Sequence, residues 1–575
     1  MPFPDRSQPS FLKGLMSRIP SFSKTGRYSL QLLNVTQFLG VINDNVFKFV
    51  MAFLLIDFLG KDQASAILAA TGAVYVIPFL LFSSSAGILA DRFSKQKLLV
   101  IIKGAEILIM LFAVFAFHEK TILGCYILLF FLATHSAMFG PSKYGIIPEL
   151  VAKNTISRAN GLITSFTYLA IIIGTFLASF LTEITERHFT LIALFCLFIA
   201  ICGFITSFFI KETVPQGSQK QVNIFFFREI YKTLVDCSSQ DHLLPAIFGS
   251  AFFLFIGAFT QLNIIPFALQ SLNLPEVAGG YLFLTTSLGI AFGAFLGGKL
   301  CRNRIELGLS CLSSLGIAFF FILLFLFSHH LIPVIICLLF IGTLGGMFIV
   351  PFDTFIQVNS SNAKRGQTIA AANFLSFGGV FIASIALFIF SQIFDLSSAN
   401  GFALIGVITL FIGTVLSICL SNFAIPYFCR KIIYRLTHFK RPETAIIEKE
   451  SSPLLILEKG TLAQAFLLLG SLPNIHLIVP SKKRSVWTLF LNLFYSIHII
   501  EEQQSFADLI SSAKAYQTNG VIPCIFLQNS SPSKSNAANR SFLDLFKRSS
   551  QIFSVKFNPK TETSSASCAF ERQEL

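Results

Sequence analysis

Apolar residues run along this chain in blocks too long for the core of a soluble domain. They occupy about 29–60, 64–90, 98–117, 122–142, 160–182, 190–210, 243–270, 277–300, 306–328, 331–356, 368–392 and 401–421. Each block is near the roughly 20 residues with which a helix, rising ~1.5 Å per residue, crosses ~30 Å of hydrocarbon. Twelve helical spans are predicted, six on either side of the polar stretch 211–242, where one amphipathic helix is expected around Ile224 to Val235. After Asn422 the pattern changes. Short apolar runs at 453–457, 475–479 and 521–527 read as strands, 461–471 and 506–516 as helices, 430–440 as a basic amphipathic stretch and 486–500 as an apolar segment. The Ser-rich tail from about 561 has no such pattern and is expected to be disordered. The plan is an N-terminal segment 1–28, a first half 29–210, a central loop 211–242, a second half 243–421, a smaller α/β domain 422–560 and a tail 561–575.

Composition agrees with a protein dissolved mainly in lipid. Of 575 residues, 54% are hydrophobic and 13% charged, against about 25% charged in soluble domains, so a soluble enzyme is excluded. The net charge of +14 would suit nucleic acid, but its distribution points elsewhere. Nineteen basic residues lie at the N-terminus and in the even-numbered connections, from Arg6 through Arg92, Lys153, Lys211 and Lys299 to Arg365. The odd-numbered connections hold only Lys61, Lys120 and Arg187. The positive-inside bias then places the N-terminus, the central loop and the C-terminal region in the cytoplasm, with no nucleic acid as partner. Residues 1–28 lead into an apolar stretch too long and too mixed for the core of a cleavable signal, so the first span is expected to be retained. The eleven cysteines form no CxxC pair, and Cys196, Cys202, Cys337 and Cys419 lie in apolar runs, as small hydrophobes would. No phosphate loop, dinucleotide fingerprint or metal-ligand cluster is present, so no cofactor or metal is expected.

The halves echo each other. Ile156, Ala159, Asn160, Leu162 and Ala170 recur at an offset of 213 residues as Ile369, Ala372, Asn373, Leu375 and Ala383, and the first span's start near 30 maps to 243, where the seventh begins. Parallel repeats around a midplane cavity account for this.

Candidate chemistry is the charge inside the spans. Asp44 follows Asn43, precedes Asn45 and has Lys48 one turn on. In a helix starting near Ser29 it lies about 22 Å along the axis, where an ionisable group is costly and should face a cavity. The competing reading is that Asp44 and Lys48 neutralise each other for packing. Lys103 and Glu106 pose the same question, with Lys103 close enough to the cytoplasmic end to snorkel. His135 and Asp353 are lone polar residues, each either a satisfied structural group or a cavity liner. Between 138 and 150, Gly140, Pro141, Gly145 and Pro148 are expected to break the fourth helix and expose backbone where Lys143 and Tyr144 could meet an anionic, partly apolar ligand. Between the second and third spans, Gly87 permits close helix packing, Asp91 can cap or pair across the bundle, and Arg92, Lys95 and Lys97 can grip headgroups or carbonyls, so that the loop acts as a latch.

The latch, from Gly87 to Lys97, resembles the major facilitator loop motif. Together with Gln37-Phe38-Leu39, Asp44-Asn45, Pro141-Ser-Lys143-Tyr144-Gly145-Ile146 and Ala159-Asn160-Gly161-Leu162, it resembles the bacterial lysophospholipid transporter family of the major facilitator superfamily over residues 29–421. That resemblance implies a twelve-helix major facilitator fold in 6+6 repeats. It also implies movement of lysophospholipid, chiefly 2-acyl-glycerophosphoethanolamine, across the bacterial inner membrane for reacylation. The substrate path would then draw on Asp44, Asn45, Lys48, Glu106, Lys143, Tyr144 and Asn160, with a gating loop of Gly87, Asp91, Arg92 and Lys95. Membrane lipids would surround it. A separate acyltransferase or acyl carrier protein synthetase would be its partner.

The C-terminal segment looks like the glycerolipid acyltransferases that relatives sometimes carry in fusion. Where that family places an Asn-His-x4-Asp box, this chain has Lys459 for the His and Gln464 for the Asp, and the Phe-Pro-Glu-Gly-Thr-Arg box becomes Phe526-Leu527-Gln528-Asn529-Ser530-Ser531. A lysine ammonium, with an ordinary pKa near ~10.4, is a poor general base at neutral pH, so this domain is read as degenerate and non-catalytic. Two rivals stand beside the lipid transporter: a facilitator permease for another small solute, which would need a narrow polar cavity, and a membrane-anchored glycerolipid acyltransferase, which would need the missing His and Asp.

Overall fold

The computed structural model describes residues 28–60, 64–218, 220, 226–274, 276–301 and 305–428, together with six strands between Pro453 and Arg572. Twelve described helices are long and apolar enough to cross a membrane. The first six are α1 (Ser29–Leu59), α2 (Ala64–Arg92), α3 (Lys95–His118), α4 (Ile122–Leu150), α5 (Ile156–Ile184) and α6 (Phe189–Phe208). The amphipathic helix α7 (Phe226–Ser238) follows in the central loop. The second six are α8 (Leu243–Gln270), α9 (Glu276–Leu300), α10 (Leu307–Leu326), α11 (Leu331–Asn359), α12 (Arg365–Phe388), extended by a π-helical turn Ile389–Ile393, and α13 (Ser398–Cys419). A short α14 (Ser421–Phe428) ends this series.

The chain divides into two units, residues 1–305 with 313–410, and residues 306–312 with 411–575. In the first unit, aromatic rings and glycines set the packing. Phe47 of α1 stacks on Phe117 of α3 at 5.4 Å, and Phe402 of α13 meets Phe267 at 5.2 Å and Phe321 at 5.9 Å. In α9, Gly293 lets the backbone of α11 approach until a Cβ would lie 1.8 Å from the Thr343 carbonyl oxygen. Small residues allow such contact in lipid, where no hydrophobic effect drives helices together.

Two expectations are corrected here. Helix α4 is not broken at 140–148, because it runs through Pro141 and Pro148 to Leu150. A proline inside a membrane helix is tolerated when neighbouring helices restore what its missing N–H removes. The adjacent glycines make room for side chains: a Cβ on Gly140 would meet Asn373 at 3.0 Å, and one on Gly145 would meet Lys95 at 3.2 Å. The other correction concerns the tail, where Ser567–Arg572 forms a strand paired antiparallel with Gln551–Asn558. A serine-rich composition hid a segment that an adjacent apolar strand can template.

In the second unit the strands β1 (Pro453–Glu458), β2 (Ile475–Ser481), β3 (Ile497–Glu501), β4 (Ile522–Leu527), β5 (Gln551–Asn558) and β6 (Ser567–Arg572) form one sheet in the order β3-β2-β4-β1-β5-β6. The first five strands in this order pair in parallel, and β6 pairs antiparallel with β5. Strands in such sheets tend to be covered on both faces, and continuous apolar runs such as Leu454 to Leu457 fit that. Leu455 and Cys524, opposite each other in β1 and β4, are buried. The expected helices at 461–471 and 506–516, the basic stretch 430–440, Lys459 and Gln464 lie outside the described residues.

Candidate functional site

The first unit encloses a cavity of about 770 Å³ between the two halves, in the upper part of the ~300–1,000 Å³ range of small-molecule sites. From the first half, α1 supplies Asp44, Asn45 and Lys48, α3 supplies Lys103, and α4 supplies His135, Ser136, Lys143 and Tyr144. From the second half come Phe253, Leu254, Ile256, Ile349 and Val380, with Asp353 as the charged exception.

Asp44 is buried, and its Oδ2 accepts a hydrogen bond from Ser136 Oγ at 2.5 Å. Its Oδ1 has no hydrogen-bond partner among the described residues. Lys48 does not form an ion pair with it there; its Nζ lies 4.9 Å from the Phe49 ring centre and 5.3 Å from that of Tyr75. The packing pair considered from the i, i+4 spacing is therefore replaced by two separate groups on the cavity wall. Asn45 also lines the wall and donates to its own helix at Val41 O, 2.8 Å away.

Behind that wall, Glu106 is fully buried and accepts from Lys103 Nζ at 2.5 Å and Asn43 Nδ2 at 2.8 Å. His135 Nε2 comes within 3.3 Å of the same carboxylate without making a hydrogen bond. The geometry reverses the expectation for this pair. Lys103, 1% exposed, does not snorkel to the surface but lines the cavity, while Glu106 anchors it from behind. Lys143 and Tyr144 both line the cavity as continuous helix, with Lys143 Nζ 4.5 Å from the Tyr144 ring. Asp353, across from them, accepts from Ser250 at 3.2 Å.

Asn160 is not at the cavity. Fully buried, it donates to Thr354 Oγ1 at 3.1 Å and Gln357 Oε1 at 3.2 Å and accepts from Gln357 Nε2 at 3.0 Å, fastening α5 to α11 across the halves. A conformation-setting clamp explains its amide better than a ligand does.

The loop expected to act as a gate sits at the end of the unit that carries the basic connections. Asp91, fully buried, accepts from the backbone N–H groups of Gly366 at 2.6 Å and Gln367 at 3.0 Å, and from Gln367 Nε2 at 3.2 Å. It caps α12 of the other half, where a helix N-terminus presents free donors and partial positive charge. Gly87 permits this approach, since a Cβ there would lie 2.7 Å from the Gly366 carbonyl oxygen. Arg92 donates to the carbonyls of Ser218 at 3.3 Å and Lys220 at 3.1 Å. Lys95 departs from its expected grip on headgroups or carbonyls: fully buried, it pairs with Glu149 at 2.6 Å.

The profile of the Major Facilitator Superfamily matches residues 33–384. The chain belongs to that superfamily. This facilitator is 25% identical over 346 residues to "Lysophospholipid transporter LplT" of Escherichia coli O1:K1, a match covering 59% of this chain and 83% of that protein. Identity and coverage are the same with LplT of Escherichia coli O127:H6. Among solved structures it is similar to the human organic anion transporter MFSD10 (TM-score 0.58, 12% identity, 68% of this chain and 100% of that one). It is also similar to the E. coli fucose:proton symporter FucP (TM-score 0.56, 12% identity, 68% and 100%). Those two likenesses concern the fold alone. The facilitator is a multi-pass membrane transporter, and its relatives are transporters and not enzymes.

The offset of 213 residues explains how the cavity of this facilitator is built. Applied to the wall, it pairs Gly40 with Phe253, Asp44 with Gly257, Lys48 with Gln261, Ser136 with Ile349 and Lys143 with Ile356, and all ten residues line the cavity. The repeats bring equivalent positions together but differ in charge: Asp44, Lys48 and Lys143 of the first half stand where the second half has Gly257, Gln261 and Ile356. The internal repeat was visible in the sequence, and projecting it from Asp44 would have found Gly257. Tyr75 and Tyr168, also on the wall, carried no such signal.

Proposed function

We propose that this facilitator carries lysophospholipid between the leaflets of a bacterial inner membrane for reacylation. The supporting observation is the two-sided cavity. A solute with a charged headgroup and one acyl chain presents matching surfaces, its headgroup to Asp44, Lys48, Lys103 and Lys143 and its chain to Phe253, Leu254, Ile349 and Ile356. A phosphate suits the lysine ammoniums, and the primary amine of 2-acyl-glycerophosphoethanolamine suits Asp44, whose Oδ1 lacks a hydrogen-bond partner among the described residues. The 25% identity to LplT supports the same substrate class. The basic connections favour a cytoplasmic location for both ends of the transporter unit. The C-terminal segment is read as a non-catalytic acyltransferase-like domain, since Lys459 and Gln464 replace the catalytic pair.

A leaflet-specific uptake assay in spheroplasts tests the transport reading. Labelled lysophospholipid should move inward, excess lysophospholipid should compete, and water-soluble sugars or amino acids should not. Competition by a sugar with no lipid movement would favour the small-solute permease. The full chain, given acyl carrier protein or coenzyme A thioesters, should acylate no lysophospholipid. Turnover that vanishes in Lys459→Ala would restore the enzyme reading.

A further inference from the structure

The central-loop helix α7 carries two faces with different tasks. Glu229, Ile230, Thr233 and Cys237 are buried against the protein. Phe227, Tyr231 and Val235, four residues apart, form a stripe exposed by 65%, 69% and 49%, with Arg228 and Lys232 exposed beside it. An exposed stripe of this kind needs an occupant.

Its position supplies one. The Phe227 ring meets Phe374 edge-on at 5.6 Å, Cys237 Sγ lies 3.9 Å from Thr368 Oγ1, and Asp236 pairs with Lys364 at 2.7 Å. Helix α7 therefore runs antiparallel beside the first ten or so residues of the spanning helix α12. At ~1.5 Å per residue, its aromatic end lies about 15 Å further along α12 than its acidic end. Since α12 enters the bilayer in that direction, Phe227 and Tyr231 reach the acyl boundary while Asp236 stays at the aqueous end. Arg228 and Lys232, each one residue on from an aromatic, lie in the same stretch, and their long side chains extend back toward the headgroups. Their acidic neighbours are otherwise engaged: Asp236 with Lys364, and Glu229 with Lys220 at 2.7 Å, which leaves Lys232 at a looser 3.6 Å.

We propose that the outer face of α7 binds anionic lipid headgroups of the leaflet on the side of the basic loops, and that this binding holds the gate closed. An apolar stripe flanked by cations is the chemistry of interfacial helices. The connection to the gate is direct. Lys220 Nζ joins Glu229 of α7 to Gln367 Oε1, the latter at 2.8 Å, and Gln367 in turn donates to Asp91. Lipid on the outer face keeps α7 docked, and docked α7 buttresses the contact between Asp91 and α12. The proposal does not depend on which substrate the cavity takes.

Cys237 provides the readout, being buried under α7 and protected only while the helix is docked. The full chain would be reconstituted in phosphatidylcholine vesicles with and without phosphatidylglycerol, and maleimide labelling of Cys237 followed by peptide mass spectrometry. Phosphatidylglycerol should slow labelling on the order of thirtyfold, the scale expected for two cations at an anionic surface. High salt should remove that protection. Arg228→Gln with Lys232→Gln should abolish the lipid effect while leaving labelling in phosphatidylcholine unchanged. Equal labelling in both lipids overturns the proposal, as does protection that survives either high salt or the double substitution.

Discussion

Gly40 of α1 and Nζ of Lys103 on α3 meet so closely that a Cβ on residue 40 would lie 2.3 Å from the ammonium. The glycine makes room for a buried cation that Glu106 holds at 2.5 Å and that faces the cavity. The ammonium ends a flexible side chain, so Gly40→Ala should displace it rather than unfold the helix. We predict near-normal abundance in the membrane with transport reduced tenfold or more. Lys103→Met should behave differently, because it leaves Glu106 buried without its cation. Removing one partner of such a pair costs about 3–5 kcal/mol, so this variant should show a lowered melting temperature and reduced yield. Equal thermal stability of the two variants would break this distinction.

Asp44 should be needed for transport and not for insertion. Among the described residues its only hydrogen bond comes from Ser136, and its second oxygen is buried without a partner in a side chain that lines the cavity. Asp44→Asn keeps the shape and removes the charge, so uptake should fall to background while the melting temperature stays within a few degrees. Ser136→Ala should cost several-fold less. Uptake near wild type in Asp44→Asn would reduce the residue to a packing group.

How much of this could be read from the chain varies by element. Spans were legible because twenty consecutive apolar residues have few alternatives, and Asp44 because a carboxylate at that depth demands a reason. Lys103 and Glu106 were visible as a pair, but which of them faced the cavity depended on the rotation of α3 against α1 and α4, set by contacts such as Gly40 with Lys103. Asn160 looked like a site residue because polar side chains in spans usually are. Its partners Thr354 and Gln357 lie nearly two hundred residues away. Proline and glycine in α4 suggested a break, and only the neighbouring Lys95 and Asn373 reveal why the helix continues.

The cap that Asp91 places on α12 should set the balance between gate states. Its three acceptor contacts join the halves, and charge-assisted bonds of this kind are worth about 1.5–3 kcal/mol when buried. Asp91→Asn weakens them and should shift the population toward opening on the basic-loop side. Spin labels on Arg158 and Lys299, both exposed at that end of the unit, should report a longer mean separation in the variant. An unchanged distance distribution would mean that the clamp of Asn160 suffices alone.

Docking of α7 should be insensitive to mild acidification. The Lys220 ammonium, 2.7 Å from the carboxylate, with the charge of Lys232 beside it, holds the Glu229 carboxyl below the usual carboxylate range. A group with a depressed folded-state pKa adds stability that is fully present above its unfolded value and is lost as pH falls through the folded one. Cys237 labelling, corrected for thiolate fraction, should therefore stay flat from about pH 7 to about pH 5 and rise only below the ordinary carboxylate range. Glu229→Gln should remove that acid step. A rise already near neutrality would show that another group governs docking.

Gly257 holds the place in the second half that Asp44 holds in the first, and a Cβ added there would meet nothing within 4 Å. It therefore opens space on the apolar side of the cavity, where the acyl chain is proposed to lie. Gly257→Leu should not harm the fold, because leucine exceeds glycine in helix propensity by up to about 1 kcal/mol and the site is unobstructed. The new side chain should instead occupy the room of about three methylenes, each worth about 0.8 kcal/mol when buried. Uptake of lysophospholipid with a long chain should fall by tenfold or more, while a shorter-chain analogue should be transported nearly as before. Parallel uptake series with short and long chains in wild type and variant provide the measurement. A uniform loss across chain lengths would place the chain elsewhere, and no loss at all would mean that Gly257 lies off the lipid path.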